Sequence, residues 1–174
     1  MAVLNVRRYG DPVLRARAKP IDEVTPAIRK IVDDMIETMY EEVGIGLAAS
    51  QVGILLRLMV VGDEHGGAAQ ALVNPVITES GGQVTAEEGC LSIPGIFAQV
   101  TRAAWVKLEA QDLEGRPVSR HARGLQARVF QHEMDHLDGV LFIDRLEPLT
   151  RDRIKRKIKK EGLAADAPHH ASAL

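Results

Sequence analysis

The 174-residue chain has a single cysteine and no long apolar run. One cysteine excludes an intramolecular disulfide and is typical of a protein in a reducing cytosol. No run reaches the ~18 apolar residues that a membrane-spanning helix needs, and Met1–Arg8 lacks the apolar stretch of a signal peptide. We therefore expect a cytoplasmic protein that makes no contact with membranes.

Aromatic residues are also scarce, at 3% of the chain, so aliphatic side chains must fill the core. The hydrophobic share of 45% is sufficient for this, and the length is typical of one domain. Acidic residues slightly outnumber basic ones, by 24 to 22. The protein as a whole therefore has no basic character, and we expect no binding to DNA.

The pentapeptide HEMDH at 132–136 is typical of a metal-binding helix. Residues four apart lie on one helix face, so His132 and His136 can bind one metal ion. Glu133 is close enough to handle a proton of a metal-bound water. Two histidines leave a hydrolytic metal short of one protein ligand, and Cys90 is the candidate. Three protein ligands with one open position indicate a catalytic rather than a structural metal site.

The residues before this pentapeptide extend the same helix face. Leu125, Val129, His132 and His136 follow steps of four, three and four, which predicts a helix over about 124–137 with this face buried. A lone histidine on such a face is more often a core residue than a ligand. Two histidines and an acid buried together need a strong partner, which a divalent cation supplies.

A segment of small residues, GIGLAASQ at 44–51, lets another group approach the backbone closely. The Gln51 side-chain amide can polarise a carbonyl oxygen. The segment is not a phosphate-binding loop, because it lacks the third glycine in register and a following Lys-Ser/Thr pair. A turn leading into a strand is the alternative interpretation.

Together, GIGLAASQ (44–51), EGCLS (88–92) and HEMDH (132–136) resemble the three signature motifs of bacterial peptide deformylases. The resemblance runs from about Tyr9 to Leu149. It implies metal-dependent removal of the formyl group from the N-terminal formylmethionine of newly made proteins, with release of formate.

The resemblance also implies roles for individual residues. Cys90, His132 and His136 would hold one divalent metal ion, Fe²⁺ in the cell, with Zn²⁺, Ni²⁺ or Co²⁺ able to occupy the site. Glu133 would be the catalytic acid and base. The Gln51 amide and the Leu91 backbone N–H would bind the formyl oxygen.

Substrate contacts follow from the resemblance and the helix stripe together. The backbone around Ile45 and Gly46 would pair with an extended peptide. Ile45, Ala86, Leu125 and Val129 would line a slot for the methionine side chain, although Leu125 and Val129 are equally explained as plain core. Asp135 is expected to support a ligand by pairing with Arg102, an ordinary surface carboxylate being the alternative.

Sequence signals for helices, strands and turns predict an α+β fold. In this fold, mixed or antiparallel strands surround a central helix that bears the HExxH motif. Thr25-Pro26 is typical of a helix start, and Gly44 would end that helix. Leu58–Val61, Ala71–Val73 and Ala104–Ala110 are strand candidates. Two turns are expected, at Pro94-Gly95 and at Asp112–Pro117.

The last part of the chain differs in charge. Residues 1–150, the expected catalytic domain, carry a net charge of −6, whereas 151–161 carry +5. Within 151–174 we expect a basic helix followed by a disordered tail, Ala164–Leu174, in which His169 and His170 have no site role. The helix either docks on the ribosome near the nascent-chain exit, as the resemblance implies, or is a solvated terminal helix.

Two other functions compete with deformylation. One is an HExxH metallopeptidase that cleaves internal peptide bonds, but the third histidine or downstream glutamate of that pattern is absent. The other is a non-enzymatic protein that binds nascent chains through the basic helix. Such a protein would need none of Cys90, Glu133 and Gln51.

Overall fold

The computed structural model describes residues 2–163 and 174. Three α-helices and seven β-strands occur in this part of the chain: α1 Pro26–Glu41, β1 Gly46–Ala48, β2 Leu58–Val61, β3 Gln70–Gly81, β4 Val84–Cys90, β5 Ile93–Arg102, β6 Trp105–Gln111, β7 Pro117–Arg123, α2 Gly124–Leu137 and α3 Pro148–Glu161. None of the helices described is long and apolar enough to cross a membrane.

The strands form two antiparallel sheets. Five strands lie in the order β1-β2-β3-β6-β7, and β4 and β5 form a separate two-stranded sheet. The predicted α+β class and antiparallel pairing are confirmed. Since β1 is at the end of the five-stranded order, one of its edges pairs with no other strand in the described part of the chain.

The first helix begins where the sequence predicts. Thr25 accepts a hydrogen bond from the Ile28 N–H, and Pro26 occupies the first turn. The helix ends at Glu41, slightly before the expected Gly44, whose N–H donates to the Met39 carbonyl. Its buried face packs in a cluster with residues of β1 and β2, which anchors the strand that leads into Gln51.

The strand predictions are right in part. Leu58–Val61 is correct, Ala71–Val73 lies near the start of the much longer β3, and Ala104–Ala110 is displaced by one residue from β6. The Asp112–Pro117 turn is confirmed, except that Pro117 already begins β7.

The turn predicted at Pro94-Gly95 is wrong, because both residues lie within β5. Proline is tolerated there because β5 pairs with β4 alone, and an edge strand does not need every N–H. The chain reverses at Leu91-Ser92 instead, between the paired Cys90 and Ile93.

The last two helices differ in burial. α2 spans the range expected from its apolar stripe and buries both histidines, Glu133 and Phe130. α3 starts three residues before the predicted position and has no fully buried residue, but Ile154 and Ile158 pack against an apolar cluster. The tail predicted to be disordered begins at residue 164. Residues 164–173, which include His169 and His170, lie outside the described residues. Leu174 is buried, against that prediction.

Candidate active site

Cys90, His132 and His136 come together as the sequence predicted. The Cys90 Sγ lies 3.3 Å from the His136 Nε2, which is 3.1 Å from the His132 Nε2. All three side chains are buried, and their ligand atoms lie within 4.8 Å of one another. Tetrahedral nitrogen and sulfur ligands of one ion are about 3.3–3.6 Å apart. The donor set therefore fits a single metal ion.

Local structure explains why these three residues meet. Cys90 ends β4 directly before the Leu91-Ser92 reversal, and the Ser92 N–H lies 3.4 Å from its sulfur. The two histidines are one turn apart on the buried face of α2. The site therefore joins a hairpin end to a helix face.

Glu88 holds one of these histidines in place. Its carboxylate lies 3.0 Å from the His132 Nδ1, which directs the opposite ring nitrogen at Cys90 and His136. Arg102 donates to both Glu88 oxygens, at 2.6 and 2.9 Å, and Arg128 donates to one of them. Burial alone would raise the pKa of Glu88, but His132 and Arg102 lower it to about 2. Glu88 is therefore a buried, ionised anchor.

Asp135 continues this charged group. Arg102 donates to it at 2.9 Å, the pairing expected from the sequence. Arg145 donates to it as well, at 2.7 and 3.1 Å. Arg102 thus bridges Glu88 and Asp135, and through them it links β4, β5 and α2.

Glu133 differs from these carboxylates. It is completely buried, and neither of its oxygens has a hydrogen-bond partner among the described residues. Burial raises the pKa of Glu133 to about 7. Burial also lowers the pKa of His136 well below its ordinary value. An unpaired buried carboxylate is costly, and one with a pKa near neutrality can accept and release a proton.

Gln51 lies in a 3₁₀ turn, Ala49–Val52, next to the sulfur of Cys90. Its carbonyl accepts from the Ala48 N–H at 3.0 Å, which directs the amide nitrogen at the site. That nitrogen is 3.2 Å from the Ser92 hydroxyl and 3.7 Å from the Cys90 Sγ. The other predicted donor, the Leu91 N–H, lies 3.4 Å from the main-chain oxygen of Leu174.

Of the four predicted pocket residues, three come together. Ile45, Leu125 and Val129 line a small cavity of about 60 Å³, with Leu125 at its rim and 54% exposed. Ala86 does not line it. Side chains alternate along a strand, so Ala86 faces the same side of β4 as Glu88, and neither residue lines the cavity.

Gly46 completes the wall of the cleft. A Cβ atom at this position would lie 2.8 Å from the Val129 Cγ1 and 3.1 Å from the Glu133 Cγ. Only glycine lets β1 pass so close to α2, which explains the small residues of the 44–51 segment.

Sequence reasoning gave no role to four residues that support the site: Glu88, Ser92, Arg128 and Arg145. Glu88 and Ser92 stand inside the EGCLS motif, and their place there was the only signal. Arg128 lies on α2 itself and Arg145 follows it closely, but their carboxylate partners are not at a helical spacing from them, so no spacing rule reveals these contacts.

The chain matches the Polypeptide deformylase family over residues 3–152. It is 50% identical to a peptide deformylase of Alkalilimnicola ehrlichii over 162 residues, which are 92% of this chain and 91% of that protein. The crystal structure of a peptide deformylase from Legionella pneumophila has a TM-score of 0.86 and 41% identity, covering 91% of this chain and 95% of that one.

A peptide deformylase of Ehrlichia chaffeensis, solved in complex with actinonin, is also similar. It has a TM-score of 0.85 and 37% identity, covering 92% of this chain and 99% of that one. Sequence and fold thus agree over nearly the whole chain. The chain belongs to the peptide deformylase family of metal-dependent hydrolases.

Proposed function

We propose that this cleft hydrolyses the formyl amide of N-terminal formylmethionine on newly made peptides and releases formate. One observation carries the proposal: the unpaired Glu133 carboxylate is buried beside a Cys90, His132 and His136 donor set. A base without a partner next to a metal site is suited to activating water. Membership of the deformylase family supports the same reaction.

The three donors would hold one divalent ion, with Fe²⁺ as the metal in the cell and Zn²⁺, Ni²⁺ or Co²⁺ as substitutes. One thiolate and two imidazoles suit each of these metals. The bound ion supplies a water acidic enough to act as a nucleophile near neutral pH.

Glu133 takes the proton of the attacking water and delivers it to the departing amine, for which its pKa of about 7 is suited. The Gln51 amide and the Leu91 N–H donate to the formyl oxygen as negative charge develops on it. Each such donor contributes about 10²–10³ in turnover. The Ser92 hydroxyl and the Ala48 N–H fix the orientation of the Gln51 amide.

The peptide binds along β1 in an extended conformation. The free edge of β1 offers main-chain groups to an added strand, and Ile45 and Gly46 lie at its start. The methionine side chain enters the cavity beside Ile45, Leu125 and Val129.

The HExxH-bearing α2 is the centre of this arrangement, and Asp135 and Arg102 support its ligands. Residues 1–150 form the catalytic unit, to which 151–174 add a basic extension. Ile154 and Ile158 attach this extension through the apolar cluster that contains Phe142.

The solvent-facing side of α3 docks on ribosomal RNA near the nascent-chain exit. Ile154 and Ile158 pack inward, and five basic residues of the helix are exposed, whereas Arg151 and Lys155 are partly buried: Arg153, Arg156, Lys157, Lys159 and Lys160. Ribosome pelleting tests this with Lys155→Glu/Lys159→Glu, and with Lys107→Glu/Arg116→Glu as a control of equal charge. We expect salt-sensitive loss of pelleting for the α3 variant alone. Equal pelleting of both variants contradicts docking.

Formate release tests the reaction itself. Protein prepared anaerobically with Fe²⁺ is mixed with a formyl-methionyl tripeptide, and a denatured protein serves as a second substrate. We expect formate from the tripeptide and no internal cleavage of the protein. Internal cleavage without formate would support a metallopeptidase instead.

A further inference from the structure

Leu174, the last residue of the sequence, lies in the cleft described above. It is only 1% exposed. Its N–H donates to the Gly89 carbonyl at 3.2 Å, and its main-chain oxygen accepts from the Leu91 N–H at 3.4 Å. Leu174 therefore contacts both neighbours of Cys90.

These two hydrogen bonds have a recognisable pattern. A residue that donates to one neighbour of a strand residue and accepts from the other is paired with it as in a parallel sheet. Leu174 is thus docked on the Gly89–Leu91 backbone as an added strand would be. It occupies main-chain groups on both sides of Cys90, next to the proposed metal site.

The contact competes directly with the proposed reaction. A main-chain nitrogen has one hydrogen to donate, and the Leu91 N–H is the donor assigned above to the formyl oxygen. While Leu174 holds this donor, a substrate carbonyl cannot use it. Occupancy by Leu174 and productive binding of substrate exclude each other.

The side chain of Leu174 is buried in the apolar cluster that contains Val129 and Ala48, against which Ile45 packs. Val129 and Ile45 also line the cavity proposed for the methionine side chain, so Leu174 belongs to the apolar surface that borders this cavity.

We infer that Leu174 is an intramolecular competitive ligand of the active site, so that the site also binds peptides that present an apolar residue to the Gly89–Leu91 backbone. This rests on the proposed function. A ligand that belongs to the same chain as its site can reach an effective concentration of about millimolar. Substrate binds only to the fraction of molecules in which Leu174 does not occupy the site, so the apparent KM rises while kcat does not change.

Steady-state formate release from the full-length holoenzyme tests this with Leu174→Asp. A charge at this position cannot enter the apolar cluster, and we expect KM to fall about two- to tenfold with kcat unchanged. Leu149→Asp is the matched control, because Leu149 is 78% exposed and the same substitution there leaves the cleft as it is. An equal KM for Leu174→Asp and the native protein overturns the inference.

A free peptide tests whether the leucine binds to the site when it is not part of the protein. The pentapeptide His-Ala-Ser-Ala-Leu, the sequence of 170–174, should inhibit Leu174→Asp competitively, and the same peptide ending in Asp should not. If both peptides inhibit equally, or if neither inhibits, the active site has no binding position for Leu174.

Amide exchange of Leu91 in the zinc-loaded protein provides a readout that needs no turnover. We expect slow exchange in the native protein and in Leu149→Asp, and faster exchange in Leu174→Asp. If no variant releases formate but the Leu91 amide still responds, the proposed function fails and the docking stands. If formate is released and the amide does not respond, the docking fails alone.

Discussion

Two groups of buried ionisable side chains meet at α2, and they differ in how their polar atoms are paired. In the first group, Arg102 donates to both Glu88 and Asp135, Glu88 also pairs with His132 and Arg128, and Asp135 also accepts from Arg145. In the second, neither oxygen of Glu133 has a hydrogen-bond partner among residues 2–163 and 174, and the His136 Nδ1 has none either. The two carboxylates Glu88 and Glu133 are equally buried.

This difference indicates two roles: the paired group positions other side chains, and the unpaired group can take part in the reaction. A paired buried charge is held in one geometry and orients what it touches. An unpaired one costs stability, and proteins retain such a group where a substrate or water is its partner. The pKa values agree, because the paired Glu88 is strongly acidic at about 2 and the unpaired Glu133 is near 7.

The largest effect is expected from Glu133→Gln. Removing the base should lower kcat by about 10²–10⁴. Metal content should not change, and the free energy of unfolding should stay equal or rise, because an unpaired buried carboxylate is lost. Formate release, metal analysis and denaturant unfolding on one preparation check this. A clear loss of stability would contradict this role and would mean that Glu133 stabilises the fold as Glu88 does.

Glu88→Gln should show the opposite pattern. It leaves Arg102 and Arg128 without their buried anion, and breaking such pairs costs about 3–5 kcal/mol. His132 also loses its anchor, so metal affinity should fall about 10–100-fold. Competition with a chelator measures this, with the exposed neighbour Glu87→Gln as control. Equal metal affinity in both variants would contradict the role of Glu88.

Gly46→Ala tests how closely β1 approaches the unpaired group. The added methyl would press on Val129 and Glu133, so we expect kcat/KM to fall about tenfold by displacement of the base. Gly62→Ala is the control, because a Cβ there meets only the Ile45 carbonyl at an ordinary 3.6 Å. Similar kinetics for the two variants would show that the cleft tolerates the methyl.

Arg145→Gln should have the smallest effect. Its side chain is half exposed, so its pair with Asp135 is screened by solvent and worth at most about 1 kcal/mol. Arg102 remains to hold Asp135. Thermal unfolding should show a shift of only a few degrees, with normal metal content. Loss of the metal would mean that Arg145 shares the role of Glu88.

Sequence patterns revealed the part of this site that obeys local rules. The i, i+4 spacing of the histidines and the apolar stripe before them predicted the helix and the buried positions of Val129, His132 and His136. Leu125, the first residue of that stripe, was wrongly expected to be buried, because it lies at the rim of the cleft and is 54% exposed. The lone cysteine and the segment ending in Gln51 were recognisable from chemistry and motif order. The Asp135–Arg102 pair was also expected.

Contacts between distant elements were not predictable in this way. Arg128 and Arg145 reach the charged group through the packing of α2, the β4–β5 hairpin and the turn before α3. Four strands, β1, β4, β5 and β7, were missed because they are short, polar or lack alternation. The position of Leu174 follows from no sequence pattern at all.

The most direct test of this division is the rate of formate release per bound metal ion, measured for native protein, Glu133→Gln and Glu88→Gln. We expect Glu133→Gln to bind a full equivalent of metal and to lose the rate per ion by about 10²–10⁴. Glu88→Gln should lose metal but keep most of the rate for each ion that remains. A native rate per ion in Glu133→Gln would contradict the assignment of Glu133 as the base, and with it the central claim.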